Sequence, residues 1–272
     1  MESNWFKEFL DLYFSGEYEK AYHLKYINIP LSLYKYQPFE EERISTVINN
    51  KLWFTLPKDM NDPFDSRGVY LDYQNIEEFL EKILSKEKIK SNTSIDDVVN
   101  GFISSARDNI RISCFSEELY SMPMWAHYAN NHTGYCIEYN FTNLKDDNVL
   151  VRDLFPISYE TNRYNITNLF KMIFNEKFDM RIKLLFFLMN LKHSSWSYEK
   201  EWRIINTNGL SQSPFIGGLV NCPINPEAIY LGLNFDKSKI DYIKSKFTNK
   251  NIPIYILKAS NSEFFNLELQ EI

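Results

Sequence analysis

The sequence predicts an α+β fold, a mixed and mostly antiparallel sheet core with peripheral helices, and three observations predict it. Stretches that alternate apolar and polar side chains recur from Ile29 to Leu257. Stretches with apolar residues three and four apart lie between them. The two kinds follow one another without a strict strand–helix–strand rhythm. With 272 residues, 44% of them hydrophobic and 16% aromatic, the chain has ample apolar surface for a core and is not a disordered polymer.

The elements read in order as follows. Trp5, Phe6, Leu10, Tyr13 and Phe14 stand at helical spacing and place one or two helices over residues 3–25. Ile29–Tyr36 alternates as a strand that ends at Pro38. Glu40–Asn50 is a short helix turning Ile44, Val47 and Ile48 inward, and Lys51–Thr55 is a second strand. Asn61-Asp62-Pro63 then marks a turn, because the residue before proline is pushed out of the helical region. Residues 75–110 read as helical with a cap near Ser94, followed by a strand over Ile110–Phe115. A short helix over Met122–Asn131 precedes a strand over Gly134–Asn140, and Tyr164–Leu191 reads as a long helical region. The segment Glu199–Ile205 is a strand, as are Ala228–Leu233 and Ile252–Leu257, with a helix over Lys237–Phe247. Residues 1–272 are expected to form a single domain: a helical extension over 1–28, a core over 29–258 and a tail over 259–272.

A net charge of −6 argues against a wholesale nucleic-acid coat; the nearest approach to a basic patch is seven Lys/Arg against four Asp/Glu between Lys171 and Arg203. Three cysteines with no paired spacing read as small apolar residues of a reducing compartment, and no zinc spacing is present. The start MESNWFKEFLDLYF lacks the basic-then-apolar order of a signal peptide, and the longest apolar run, Leu184–Leu191, is too short to span a bilayer. A soluble cytoplasmic protein with no membrane partner is expected.

Chemistry gathers in a few segments. Four of the five tryptophans and three of the four histidines fall in LWFTLPKDMNDPFD, FSEELYSMPMWAHYANNHTG, KHSSW and YEKEWR. In a strand of period two, Glu199, Glu201 and Arg203 share one face and Tyr198, Lys200, Trp202 and Ile204 the other. Such a charged row must meet solvent, ion-pair partners or a cleft, since an isolated buried charge costs many kcal/mol. A solvated outer face satisfies this most simply. Asn61 and Asp62 form either a self-capping turn or a loop presented to a ligand. On a helix, Met124, His127 and Tyr128 share a face, where His127 is able to stack on a base or donate to a phosphate or ribose. Trp125 and Tyr128 are equally readable as core.

The order LYKY, LWFTLPKDMNDPFD, ISCFSEE, MPMWAHYANNHTGYCIEYNF and SYEKEWRII is similar to an uncharacterised bacterial family known as domain of unknown function 2971, over about Leu33 to Leu257. A more distant resemblance, carried by Leu33-Tyr34-Lys35-Tyr36, Leu52-Trp53-Phe54, Ile112-Ser113-Cys114-Phe115-Ser116 and Glu199-Lys200-Glu201, is to ADP-ribosyltransferases. Lys35 stands where those enzymes carry Arg or His, and Ser116 is followed by Glu117-Glu118 where they carry a Ser-Thr-Ser run. The resemblance implies an ADP-ribosyltransferase-like fold and NAD as substrate. It makes Glu201 the catalytic carboxylate and Glu199 a substrate-orienting partner. Lys35 or Arg203 would hold the pyrophosphate, and Tyr36 or Trp125 would stack on nicotinamide or adenine. The acceptor would be a nucleic acid or a protein, in a bacterial (phage) defence setting. Two alternatives stay open. One is a metal-dependent nuclease using Asp62, Asp65, Glu199 and Glu201 with Lys200. The other is a non-catalytic module binding a nucleotide or nucleic acid through its aromatic segments.

Overall fold

The computed structural model describes residues 4–72, 75–76, 100–101, 103–104, 107–168, 171, 188–206, 218–261 and 266–272. The helical cap expected near Ser94, and most of the helical regions expected over 75–110 and 164–191, lie outside the described residues.

Helices Asn4–Ser15 and Tyr18–Tyr26 open the chain. The strands follow as β1 (Leu33–Gln37), β2 (Lys51–Trp53), β3 (Val69–Tyr70), β4 (Arg111–Ser116), β5 (Tyr135–Tyr139), β6 (Leu154–Pro156) and β7 (Ser158–Glu160). Then come β8 (Tyr164–Asn165), β9 (Leu191–His193), β10 (Glu201–Asn206), β11 (Leu219–Asn221), β12 (Ala228–Leu231), β13 (Ile254–Ala259) and β14 (Leu267–Glu271). Helices Glu41–Ile48, Met122–Tyr128 and Ile240–Phe247 complete the main elements. The expected mixture of helices and mostly antiparallel strands is what the chain forms. Two differences stand out. Tyr164–Asn165 and Leu191 are extended, where a helix was expected, and residues 267–271 add a strand to β13 where only a tail was read.

Among the described residues eight strands form one sheet in the order β14-β13-β12-β5-β1-β4-β10-β6, with β12 and β13 as its parallel pair. Period-two alternation sorts its side chains. Leu33, Phe115, Ile137, Trp202 and Ile204 enter a core shared with Ile44, Val47, Ile243 and Phe247 of two covering helices. On the opposite face, Tyr36, Cys136 and Tyr230 pack on Met124 and Trp125, while Ile112, Phe155 and Ile205 pack on Phe6, Phe9 and Tyr13 of the first helix. Lys25 fastens the second helix, its buried ammonium donating to the carbonyls of Val151 at 3.0 Å and Arg152 at 2.6 Å.

One irregularity of this sheet positions everything that follows. β1 pairs with β5 along its full length, from Leu33 with Tyr139 to Gln37 with Tyr135, and β4 pairs with β10 from Ser116 to Arg111. Between β1 and β4 the register holds a single pair, Tyr34 with Ser116. Beyond it the two strands diverge, and the edge of β4 is taken up by Thr55, which bridges Ile112. The sheet therefore splits at its centre, between strands whose backbone groups are no longer satisfied by one another.

Candidate functional site

A cavity of ≈ 390 Å³ opens in that split. Its walls come from β1, from the loop after β2, from β4, from helix Met122–Tyr128 and from the segment running into β10.

The entry to β10 explains its acidic wall. Residues Ser194–Glu199 form a 3₁₀ turn, Lys200 adopts the left-handed conformation with φ 41°, and the strand begins at Glu201. Glu199 is thus not a strand residue as the alternation predicted. A non-glycine left-handed residue costs roughly 1–3 kcal/mol and needs support. Ser116 supplies it: its buried hydroxyl donates to the Glu199 carbonyl at 2.6 Å and accepts from the Glu118 amide at 3.0 Å, while the Glu117 amide donates to the Lys200 carbonyl. The corner sends Lys200 outward, where it pairs with Glu118, and turns Glu199 and Glu201 inward.

The inward charges are buried, which overturns the expectation of a solvated face. Glu199, Glu201 and Arg203 are 2%, 5% and 0% exposed. Arg203 meets Asp65 through both terminal nitrogens at 2.9 and 2.6 Å, Glu201 through Nε at 2.7 Å and Nη2 at 3.0 Å, and the Met189 carbonyl at 2.7 Å. All five of its donors are engaged. Lys192, on β9, pairs with Glu199, with Glu201 at 2.9 Å and more distantly with Asp65 at 4.0 Å. Tyr128 donates to Glu199 at 2.6 Å, and the Tyr159 hydroxyl accepts from the Glu201 amide at 2.8 Å.

Three carboxylates against two cations leave the cluster short of one positive charge, and proton affinities show where the imbalance falls. Burial would push Glu201 up, but Arg203 and Lys192 outweigh it and hold this carboxyl well below the usual range. Burial raises Glu199, with Lys192 opposing and Glu201 adding to the rise. One member of the pair is kept ionised and the other is pushed toward protonation, the separation by which neighbouring carboxyls divide acid and base roles. Burial would likewise pull Lys192 down, but Glu201, with Glu199 and Asp65, holds it charged.

Lys35 reaches across the split from β1. Its ammonium donates to Ser113 Oγ at 2.9 Å and the Cys114 carbonyl at 3.1 Å and lies 4.9 Å from the Phe115 ring centre. Among the described residues no carboxylate lies within 4.0 Å of it, and burial pulls it down to about 8. It is a cation facing the cavity without a counter-ion.

The cavity brings together nine of the residues that the sequence singled out: Lys35, Tyr36, Asn61, Asp62, His127, Tyr128, Glu199, Glu201 and Arg203. Met124, His127 and Tyr128 share the cavity-facing side of their helix, as their spacing predicted. Asp62 caps its own turn by accepting from the Phe64 amide at 2.9 Å, and it also lines the cavity. Two residues stand apart from the cavity wall. Ser116 is the buried support of the Lys200 corner, and Trp125 is fully buried core, its indole N–H donating to the Leu119 carbonyl at 2.6 Å. Two others have reduced scope. Arg203 has no donor to spare for a pyrophosphate, and the Tyr36 hydroxyl is committed to the carbonyls of Glu118 and Leu119.

Lys192 and Tyr159 were not singled out by sequence. Lys192 opens the KHSSW segment already marked for its tryptophan and histidine, so the segment was visible and the residue's role was not. For Tyr159 no signal exists, because a backbone contact leaves no side-chain pattern.

The nuclease donor set does not fit a metal ion here. Both oxygens of Asp65 are taken by Arg203, Lys192 occupies the space between Glu199 and Glu201, and Lys200 points away. Among the described residues no group of three or more His, Cys, Asp or Glu is arranged to hold a metal, and no helix is long and apolar enough to cross a membrane.

No curated protein and no solved structure matches the chain. A family match covers part of it, from the helix that carries His127 and Tyr128 through Lys192 and Glu199 to Glu201 and Arg203 of β10, and leaves Lys35 and Asp65 outside. Residues 124–204 match the family described as Protein of unknown function (DUF2971).

Proposed function

We propose that the cavity binds NAD and that the chain is an ADP-ribosyltransferase-like enzyme, cleaving the nicotinamide–ribose bond and passing ADP-ribose to an acceptor. The reading is supported above all by one observation: Lys35, His127 and the pair Glu199 and Glu201, from three distant segments, front a single cavity in the split of the sheet. Its volume lies within the roughly 300–1,000 Å³ of small-molecule sites. An adjoining cavity of ≈ 660 Å³ shares Asp62, His127 and Lys192 with it and gives an elongated ligand room to extend.

Breaking that bond leaves the electron pair on nicotinamide and positive charge on the ribose carbon and ring oxygen. Glu201, held ionised, keeps negative charge at the cavity wall. Glu199, with its raised proton affinity, is the carboxyl suited to take the proton of the incoming acceptor hydroxyl. Lys35 supplies the uncompensated cation for a phosphate, as a point charge. The same arrangement supports NAD hydrolysis if water is the acceptor.

The test is release of nicotinamide from NAD by the whole chain, with Glu201→Gln, Glu199→Gln and Lys35→Gln compared after circular dichroism has established folding. Turnover by the parent and its loss in folded Glu201→Gln is expected. Undiminished turnover in that variant overturns the role of Glu201. No release by the parent, with NAD still bound, leaves a binding module instead of an enzyme.

A further inference from the structure

We infer that the adjoining cavity is a nucleotide subsite, taking an aromatic base against Phe64 or Trp196 and a phosphate at Arg67 and Arg163. The inference goes beyond the NAD reading and stands on this cavity's own residues.

Four observations carry it. Phe64 sits at the tip of the Asn-Asp-Pro turn with 63% of its surface exposed, although a large apolar ring gains by leaving water. The guanidinium of Arg163 lies 5.8 Å from the centre of that ring, so a π-face and a planar cation are offered side by side. Arg67 and Arg163 have no ion-pair partner within 4.0 Å among the described residues, whereas the cavity's acids are turned to local donors. Asp62 accepts from the Phe64 amide, and Glu160 accepts from the Ser158 hydroxyl at 3.1 Å. Across the cavity the Trp196 ring has the Lys192 ammonium 5.1 Å from its centre and the His127 ring at 6.5 Å, joining the second cavity to the first. An exposed and a half-buried ring beside uncommitted guanidinium groups suit a stacked base next to a phosphate, tolerantly of base identity.

Two sources supply that chemistry: the adenylate half of NAD, or one nucleotide of a single-stranded nucleic-acid acceptor. Calorimetric titration of the full chain with 5′-AMP and with a short single-stranded oligodeoxythymidylate tests the subsite. Binding of at least one ligand is expected, weakened about tenfold or more by Arg163→Ala and by one of Phe64→Ala and Trp196→Ala. Arg163→Lys, which keeps charge and loses the fork, should fall between parent and alanine variant. Competition of AMP with NAD assigns the subsite to the adenylate; oligonucleotide binding alongside NAD assigns it to the acceptor. Failure of both ligands to bind the parent, or equal affinity in all variants, overturns the inference. Glu201→Gln separates the two readings, because it should end nicotinamide release and leave this binding intact.

Discussion

Arg203 holds Asp65 with both terminal nitrogens, at 2.9 and 2.6 Å, across 138 residues of chain. The contact ties the loop after β2 to strand β10 and fixes one wall of the cavity. Arg203→Ala removes five hydrogen bonds and leaves Asp65 and Glu201 as buried charges without their main partner. A loss of about 3–5 kcal/mol of stability is expected, measured by urea unfolding. Arg203→Lys should recover only part of it, since an ammonium cannot reproduce the fork.

The two glutamates bend stability in opposite directions with pH. The folded-state proton affinity of Glu201 is depressed, so its contribution is present above the ordinary 4.5 and is lost as pH falls below that value. That of Glu199 is raised, so its ionised form costs stability as pH climbs above 4.5. Unfolding of Glu201→Gln should therefore respond less to pH below 4.5, and Glu199→Gln should lose less stability than the parent between 4.5 and neutrality.

Tyr128 donates to the ionised form of Glu199. Its replacement by Phe withdraws a hydrogen bond from the carboxylate and should raise the proton affinity of Glu199 further. A carboxyl-carbon NMR titration of Glu199 should move to higher pH in Tyr128→Phe, and the acid limb of nicotinamide release should move with it.

Lys35 is charged below about 8 and neutral above it. Binding of inorganic phosphate to the first cavity should weaken as pH rises through that value. The dependence should vanish in Lys35→Gln, which binds weakly throughout. A bound anion raises the ammonium's proton affinity, so the midpoint should lie higher with ligand than without it.

Gly134 and Gly232 meet where β5 and β12 begin and end. A Cβ on Gly232 would stand 2.1 Å from the His132 carbonyl oxygen, and one on Gly134 would stand 2.2 Å from that of Gln37. Both obstacles are backbone, and Asn130, Asn131 and His132 are already left-handed. Gly232→Ala should destabilise by about 1–3 kcal/mol in urea unfolding and shift the His132 ring from its stack on Trp125.

The alternation of LYKYQ, RISCFS, YCIEY and EWRIIN made the sheet strands legible, because each has one face in a core and period two records it. The strand at 267–271 escaped because LELQE, an edge segment with mostly exposed side chains, carries no buried face to read. The cavity was legible in its tryptophan- and histidine-rich segments, since functional loops concentrate such residues. What sequence could not show was the pairing within it. Whether Glu199 meets water or Lys192 depends on a left-handed corner at Lys200, a residue type that does not advertise that conformation.

The splitting of the sheet has a consequence for dissection of the molecule. A fragment cut to residues 124–204 would carry both glutamates, Lys192 and Arg203 but would lack β1, β4 and the aspartate that the guanidinium grips. Its acidic pair would stand beside a half-satisfied arginine on an unpaired strand edge, a surface prone to sticking to its own copies. The residues lining the pocket run from Tyr34 to Arg203, so a fragment that omits either end of that span lacks part of its wall.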